Sequence, residues 1–288
     1  MRRPVHARGR VHAGPGAAQR VRRAARPPPR PGDPVMRLDT AIIPCGGLGR
    51  RLRPFTRWLP KEMLPVGLKP LLYHALDEIA DAGLMRAVIV TNPHKPVLEA
   101  AARQYPGPLD LEFVPQPVFR GLGDAILQAK DALAGAPFAV LLADHLFAPP
   151  APLLALLEAF RATPAPTVVL RAARGEASGL VGATCAARAE PAGGTAYRVL
   201  EIGRKEMVDE RPDAFILGGR YAFPGDVFDA LDAINRTLPP GAELSDVPLL
   251  QRLVQQGALR ALVSEARFFD VGVPEGYREA VAAFPARA

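Results

Sequence analysis

The chain has 288 residues, 49% of them hydrophobic, with a formal net charge of +7. That length builds one large α/β domain or two small ones, and no apolar run approaches the roughly 18 residues of a membrane-spanning helix. The charge is unevenly placed. Residues 1–35 hold nine arginines and a single acid, Asp33, so the other 253 residues carry 27 basic and 28 acidic side chains. A near-neutral body argues against a nucleic-acid partner, whatever the overall charge.

Residues 1–35 also carry seven prolines and no apolar periodicity, and are expected to be disordered. They lack the apolar stretch of a secretory signal. The expectation is that translation begins at Met36, because MRLDTAIIP leads straight into the first strand. The other reading is a basic arm that binds an acidic partner. Cys45 and Cys185 lie far apart with no metal-ligand spacing, as expected of a reducing, cytoplasmic setting.

From residue 36 onward the pattern alternates. Strands are predicted at 40–43, 87–91, 111–114 and 138–142, with helices at 71–82, 97–104 and 124–133 between them. Short strands alternating with helices imply a mostly parallel sheet covered on both faces, with ligands beyond the carboxyl ends of the strands. The second half reads as a helix at 153–161, then strands at 167–171, 181–186, 197–202 and 215–221 without helices between them. Gly193-Gly194 suits a hairpin turn there. Helices at 226–235, 247–256 and 275–283 and a strand at 259–263 complete the chain. The second half is therefore a β-rich addition to one sheet, and residues 36–288 form one domain.

The most informative stretch is residues 42–65, IIPCGGLGRRLRPFTRWLPKEMLP. An apolar strand turns through Gly46, Gly47, Leu48 and Gly49, and Arg50, Arg51, Arg53 and Lys61 follow closely. Glycines let backbone N–H groups approach phosphate oxygens, and the cations neutralise them. The third glycine of a dinucleotide-binding turn is missing, and so is the G-K-[ST] of a kinase-type loop. With Arg51 and Lys61 ten residues apart and KEMLP after the glycines, the chain resembles the sugar-phosphate nucleotidyltransferases, and among them the bacterial UTP–glucose-1-phosphate uridylyltransferases. Arg50 stands where that family has a threonine.

The resemblance covers roughly residues 36–284. It implies a Rossmann-like mixed α/β sheet with a β-rich sugar-binding subregion, and Mg²⁺-dependent transfer between UTP and a sugar 1-phosphate. A soluble homo-oligomer with no membrane or nucleic-acid partner is expected. The alternatives are a glucose-1-phosphate thymidylyltransferase and a catalytically weak nucleotide-binding homologue. Arg51 and Lys61 take the catalytic positions. Gly46, Gly47, Leu48, Gly49, Gln116 and Gly121 take the nucleotide-binding ones, with Gln116 reading the pyrimidine edge.

Two carboxylates, Asp144 in LLADHLF and Asp270 in FFDVG, end apolar runs. Each is either a turn cap or one of the one or two carboxylates that Mg²⁺ takes alongside water and phosphate oxygens. The resemblance places the metal on both. It aligns Lys205 and Gly219 with sugar phosphate-binding positions, and it puts Arg204 where the family has a sugar-reading glutamate and Glu206 where it has a proline. Read from the residues alone, 204–206 is equally a solvated charged turn. Trp58 and Phe55 are expected to pack their loop, His145 to be a core or loop residue, Cys45 to be a small buried one, and Asp246 to begin a helix.

Overall fold

The computed structural model describes residues 37–172, 185–205 and 214–284. After β1 (Thr40–Pro44) come three 3-10 turns, Arg50–Leu52, Phe55–Arg57 and Lys61–Met63, and a two-residue ladder of β2 (Pro65–Val66) with β3 (Lys69–Pro70). Helix α1 (Leu71–Asp81), β4 (Arg86–Thr91), α2 (Pro96–Ala102), β5 (Asp110–Pro115), α3 (Leu122–Gln128), α4 (Lys130–Leu133) and β6 (Phe138–Leu141) follow. The second half holds β7 (His145–Phe147), α5 (Leu153–Ala162), β8 (Thr167–Ala172), β9 (Cys185–Pro191), β10 (Ala196–Lys205) and β11 (Ala214–Phe223). Then come α6 (Val227–Thr237), α7 (Val247–Gln255), β12 (Arg260–Val263), β13 (Phe268–Asp270) and α8 (Pro274–Ala283).

Nine strands form one mixed sheet in the order β5-β4-β1-β6-β11-β8-β12-β10-β9. β5, β4, β1 and β6 are parallel neighbours, as the helical crossovers require. β11 pairs antiparallel with β6 and β8 and joins the β-rich half to the same sheet. The Gly193-Gly194 turn lies between β9 and β10, both glycines at positive φ, 102° and 57°. Part of the strand expected at 181–186 falls outside the described residues.

The helices cover both faces because their apolar residues recur on one side. In α1, Leu71, Leu72, Ala75, Leu76 and Ile79 are all buried. One core cluster lies under α3, α6 and α7, and a second under α1, α2 and α5. A third, smaller one holds Leu52, Leu64, Val66, Phe269 and Val271 together. The helix expected over 124–133 is interrupted at Ala129, and Ala134 ends it in the left-handed region at φ 49°. No helix among the described residues is long and apolar enough to cross a membrane.

The strand order fixes where a ligand fits. From β1 the chain moves to β4 and β5 on one side, then returns to place β6 on the other. In such a sheet the loops leaving the carboxyl ends of β1 and β6 run to opposite sides, and a ligand is expected between them. The glycine loop leaves β1, and Asp144 follows β6.

Candidate active site

The glycine loop is shaped by a close approach. Gly49 is left-handed (φ 61°, ψ 32°), and a Cβ there would lie 3.1 Å from Thr56 Cγ2 and 3.3 Å from Lys61 Cβ. Thr56 Oγ1 donates to Gly49 O at 2.7 Å and ties the turn back on itself. Buried Leu52 anchors the segment, while Leu48, Arg50, Arg51, Arg53 and Arg57 are not buried. Trp58 and Phe55, expected to pack the loop, are instead 77% and 61% exposed. Leu52 and partly buried Leu59 pack into the third core cluster and the Thr56 hydroxyl ties the turn, without either ring.

Four of the predicted residues converge. Lys61 Nζ forms a salt bridge with Asp144 Oδ2, both side chains nearly buried. A Cβ on Gly272 would lie 2.9 Å from Asp270 Oδ1, 3.0 Å from Asp144 Oδ2 and 3.6 Å from Arg51 Nη2. The two carboxylates and the guanidinium therefore surround one point, and only glycine leaves it open. β13 pairs antiparallel with β7, and Asp270 sits opposite His145. Val271 N donates to Asp144 O at 2.8 Å and Gly272 N to Asp270 Oδ1 at 2.9 Å. Asp270 Oδ2 is buried and has no hydrogen-bond partner among the described residues.

The electrostatics follow from that packing. Burial opposes ionisation of both Lys61 and Asp144. Their mutual attraction and hydrogen bond outweigh it, so the ammonium is held above its ordinary range and the carboxyl well below its own. Both stay charged across the physiological range. His145 is buried, and desolvation lowers its pKa despite the nearby Asp144 and Asp270 carboxylates. Cys45 is buried too, and desolvation, then the Glu62 charge, push its thiol up, which disfavours the thiolate.

Sequence reasoning missed a second ion pair. Glu62, fully buried, receives Lys95 Nζ at 3.0 and 3.2 Å, and the same ammonium donates to Cys45 O at 2.7 Å. Lys95 thus joins the turn carrying Lys61 to the chain leaving β1. Glu62 was visible in KEMLP, but nothing local pairs it with a lysine 33 positions on. Breaking a buried pair leaves one charge uncompensated, which costs about 3–5 kcal/mol. Glu62→Gln is therefore expected to lower the thermal midpoint by many degrees in a melting experiment. An unchanged midpoint would mean that the pair contributes nothing.

Gln116 is fully buried. Its Nε2 donates to Asp124 Oδ2 at 2.7 Å and to Gly121 O at 3.2 Å, and its Oε1 lies directly against Gly46. Among the described residues Oε1 has no hydrogen-bond partner. A glutamine amide offers both donors and an acceptor, but Asp124 and Gly121 take both hydrogens here, so only the acceptor is unpaired among the described residues. Gly121 (φ 102°) and Gly123 let α3 begin against the 244–245 backbone, where a Cβ would come within 2.7 Å of Leu244 O and 2.5 Å of Ser245 O respectively. Asp246 precedes α7, as expected, but its carboxylate accepts from Tyr221 Oη at 3.1 Å rather than from the helix.

Gly219 (φ 68°) lies against the His145 ring, and its carbonyl accepts from Leu142 N at 3.0 Å. The backbone of Lys205 ends β10, but its side chain and that of Arg204 lie outside the described residues, as does Glu206.

The profile of the Nucleotidyl transferase family matches residues 40–286. The chain belongs to this family. The nucleotidyl transferase is 30% identical over 262 residues to a putative UTP–glucose-1-phosphate uridylyltransferase of Bacillus subtilis, covering 83% of this chain and 94% of that one. It is 28% identical over 269 residues to UTP–glucose-1-phosphate uridylyltransferase of Pseudomonas aeruginosa, covering 84% and 94%. A crystal structure of UDP-glucose pyrophosphorylase complexed with UDP-glucose superposes with a TM-score of 0.74 at 26% identity, over 86% of this chain and 98% of that one. The α/β architecture read from the sequence is thus that of solved members of this transferase group.

Proposed function

We propose that this transferase joins UTP to glucose 1-phosphate, or to a related sugar 1-phosphate, and releases pyrophosphate. The observation that carries the reading is the meeting of Arg51, Lys61, Asp144 and Asp270 beside the glycine loop, in a chain alike over most of its length to uridylyltransferases. An oxygen of the sugar phosphate attacks the α-phosphorus of UTP in line. The bond from that phosphorus to the bridging oxygen breaks, and pyrophosphate leaves with the electron pair. No covalent enzyme intermediate is needed, so catalysis rests on positioning and on fixed charge.

The residues present fit a divalent ion, and we assign Mg²⁺. Asp270 holds a buried oxygen with no partner among the described residues, and Asp144 and Asp270 point at a common spot. No group of three or more His, Cys, Asp or Glu that would hold a metal is found among the described residues. Two carboxylates with water and substrate oxygens are what Mg²⁺ ordinarily takes. When bound, the ion would neutralise phosphate charge. Arg51 and the glycine-loop N–H groups would hold the departing pyrophosphate, Lys61 the transferred phosphoryl group, and Lys205 with Gly219 the acceptor phosphate. Gln116 would lie at the pyrimidine edge of uracil or thymine.

Pyrophosphate release from UTP, glucose 1-phosphate and Mg²⁺ tests the assignment, with dTTP in parallel. Turnover with dTTP alone would make the enzyme a thymidylyltransferase. Nucleotide binding without release would make it a sensor.

The acceptor preference is a separate expectation. Arginine has only donors, so Arg204 cannot accept hydrogen bonds from sugar hydroxyls as a glutamate does. Loss of such acceptors costs about 1–3 kcal/mol, or roughly ten- to a hundredfold in kcat/KM. The expectation is that glucose 1-phosphate is used poorly or that a different, acidic sugar 1-phosphate such as glucuronic acid 1-phosphate is accepted, with Arg204→Glu improving glucose use. The competing reading is that Glu201 supplies the acceptor and ordinary glucose recognition is kept. Strong native selectivity for glucose 1-phosphate, unimproved by Arg204→Glu, would refute the expectation.

A further inference from the structure

Arg220 lies in β11, directly after Gly219, and is 1% exposed. β11 is irregular at this point: its pairing with β8 shifts register between Leu217 and Tyr221. Such irregularities re-aim side chains. Here the guanidinium is committed entirely to the protein. Nε and Nη2 donate to Glu78 Oε1 and Oε2 at 3.0 and 2.7 Å, a two-pronged pair. Nη1 donates to Leu142 O at 3.1 Å and Gly219 O at 3.2 Å, and Nη2 to His145 O at 2.8 Å. The Phe147 ring lies 5.2 Å away, and the Glu78 side chain is nearly buried.

The choice of acceptors is informative. Leu142 O and His145 O stand at the two ends of the short turn that presents Asp144, and His145 N closes that turn on Leu142 O at 3.1 Å. Glu78 sits on α1, whose first residue donates from Leu71 N to Leu64 O. Leu64 N in turn donates to Lys61 O, each at 3.1 Å. One guanidinium therefore connects the element that follows Lys61 to the turn that carries Asp144. A buried ion pair is a weak device for stability alone, because apolar residues of similar volume usually do as well or better. Its value here is geometric, since a planar fork with five N–H groups fixes several acceptors at once and an ammonium does not.

We infer that Arg220, braced by Glu78, is a positioning residue that sets the Asp144 carboxylate against Lys61 and Asp270. This rests on the proposed reading of Asp144 and Asp270 as metal carboxylates. Groups that orient a metal carboxylate typically change metal affinity or activity by about 10–100-fold when altered.

The test uses the full chain, Arg220→Lys and Glu78→Gln. Mn²⁺ binding in the presence of UTP is followed by the electron paramagnetic resonance signal of free Mn²⁺. kcat and KM for UTP are measured well below the melting temperature. The expected result is Mn²⁺ binding weakened roughly tenfold or more and kcat lowered about 10–100-fold, with KM for UTP within about twofold of the parent. A merely structural pair would lower the melting temperature and leave Mn²⁺ affinity and kcat as they were. That outcome overturns the inference, as does a parent that binds no Mn²⁺. If Arg220→Lys fails to fold, Glu78→Gln, which keeps one acceptor for the guanidinium, carries the same measurements. Failure of the transferase reading looks different: a parent with no pyrophosphate release whose Mn²⁺ binding still weakens in the variants keeps the positioning role and loses only the reaction.

Discussion

Asp144→Asn and Asp270→Asn are each expected to lower metal-dependent pyrophosphate release by on the order of 10³-fold, while their effects on stability differ. The ion proposed between these carboxylates would supply several kcal/mol of charge stabilisation when bound, and each 1.36 kcal/mol is about a tenfold change in rate. An amide keeps the size of the side chain but not its charge. Asp144 is the partner of nearly buried Lys61, so neutralising it strands an ammonium, and the melting temperature should fall. Asp270 Oδ2 has no hydrogen-bond partner among the described residues, and Oδ1 can still accept from Gly272 N after the change. Asp270→Asn should therefore leave the melting temperature near that of the parent, or raise it, while removing turnover. A higher melting temperature would show a buried carboxylate kept at a cost to stability, as functional sites often are. Near-normal turnover of either variant at saturating Mg²⁺ would remove that carboxylate from the metal site. A large loss of stability in Asp270→Asn would mean that its charge is structural.

The sequence singled out these two aspartates by their context, and the structure brings them to one point at Gly272. A carboxylate at the end of an apolar run stands out, although only Asp270 closes a strand while Asp144 lies in the turn after β6. The alternation of strands and helices says which end of the sheet they occupy. The glycine loop was legible for a similar reason: its composition is local and its chemistry is local. The paths between such points were not legible. The turns Arg50–Leu52, Phe55–Arg57 and Lys61–Met63 are three residues each, too short to leave a periodic trace. β7 and β13 are equally short, and they hold Asp144 and Asp270 in register only because they pair across more than a hundred residues.

The buried ion pairs show the same limit in side-chain terms. Glu62 and Lys95 are 33 residues apart, and Glu78 and Arg220 are 142 apart. Each residue alone reads as an ordinary charged position on a helix, loop or strand. Only the tertiary fold tells a buried charge with a partner from a solvated one. Trp58 and Phe55 err in the opposite direction, because large rings predict burial and these two are exposed. Gln116 was singled out by its motif, yet which of its amide atoms are already paired depends on Asp124, eight residues away on α3.

Lys61→Met is expected to lower kcat by roughly 10²–10³-fold with little change in KM for UTP, the loss that follows removal of one preorganised charge from a transition state. Arg51→Ala is expected to lower kcat by a similar order. Methionine keeps most of the lysine stem, so the 3-10 turn and its contacts with the glycine loop should survive. The two changes differ in what they do to the protein itself. Lys61 is nearly buried on Asp144, and losing it leaves that carboxylate without the cation that lowers its pKa, so the Asp144 pKa rises. Arg51 is exposed, and its removal should leave the melting temperature nearly unchanged. A double variant sharpens the point. If Lys61 acts only by balancing Asp144, Lys61→Met combined with Asp144→Asn should be more stable than either single variant predicts and no slower than Asp144→Asn alone. If Lys61 also meets the transferred phosphoryl group, the double variant recovers stability but loses further turnover. A kcat that stays at the parent value in Lys61→Met, with only KM raised, would make Lys61 a ground-state binder and take it out of the catalytic role.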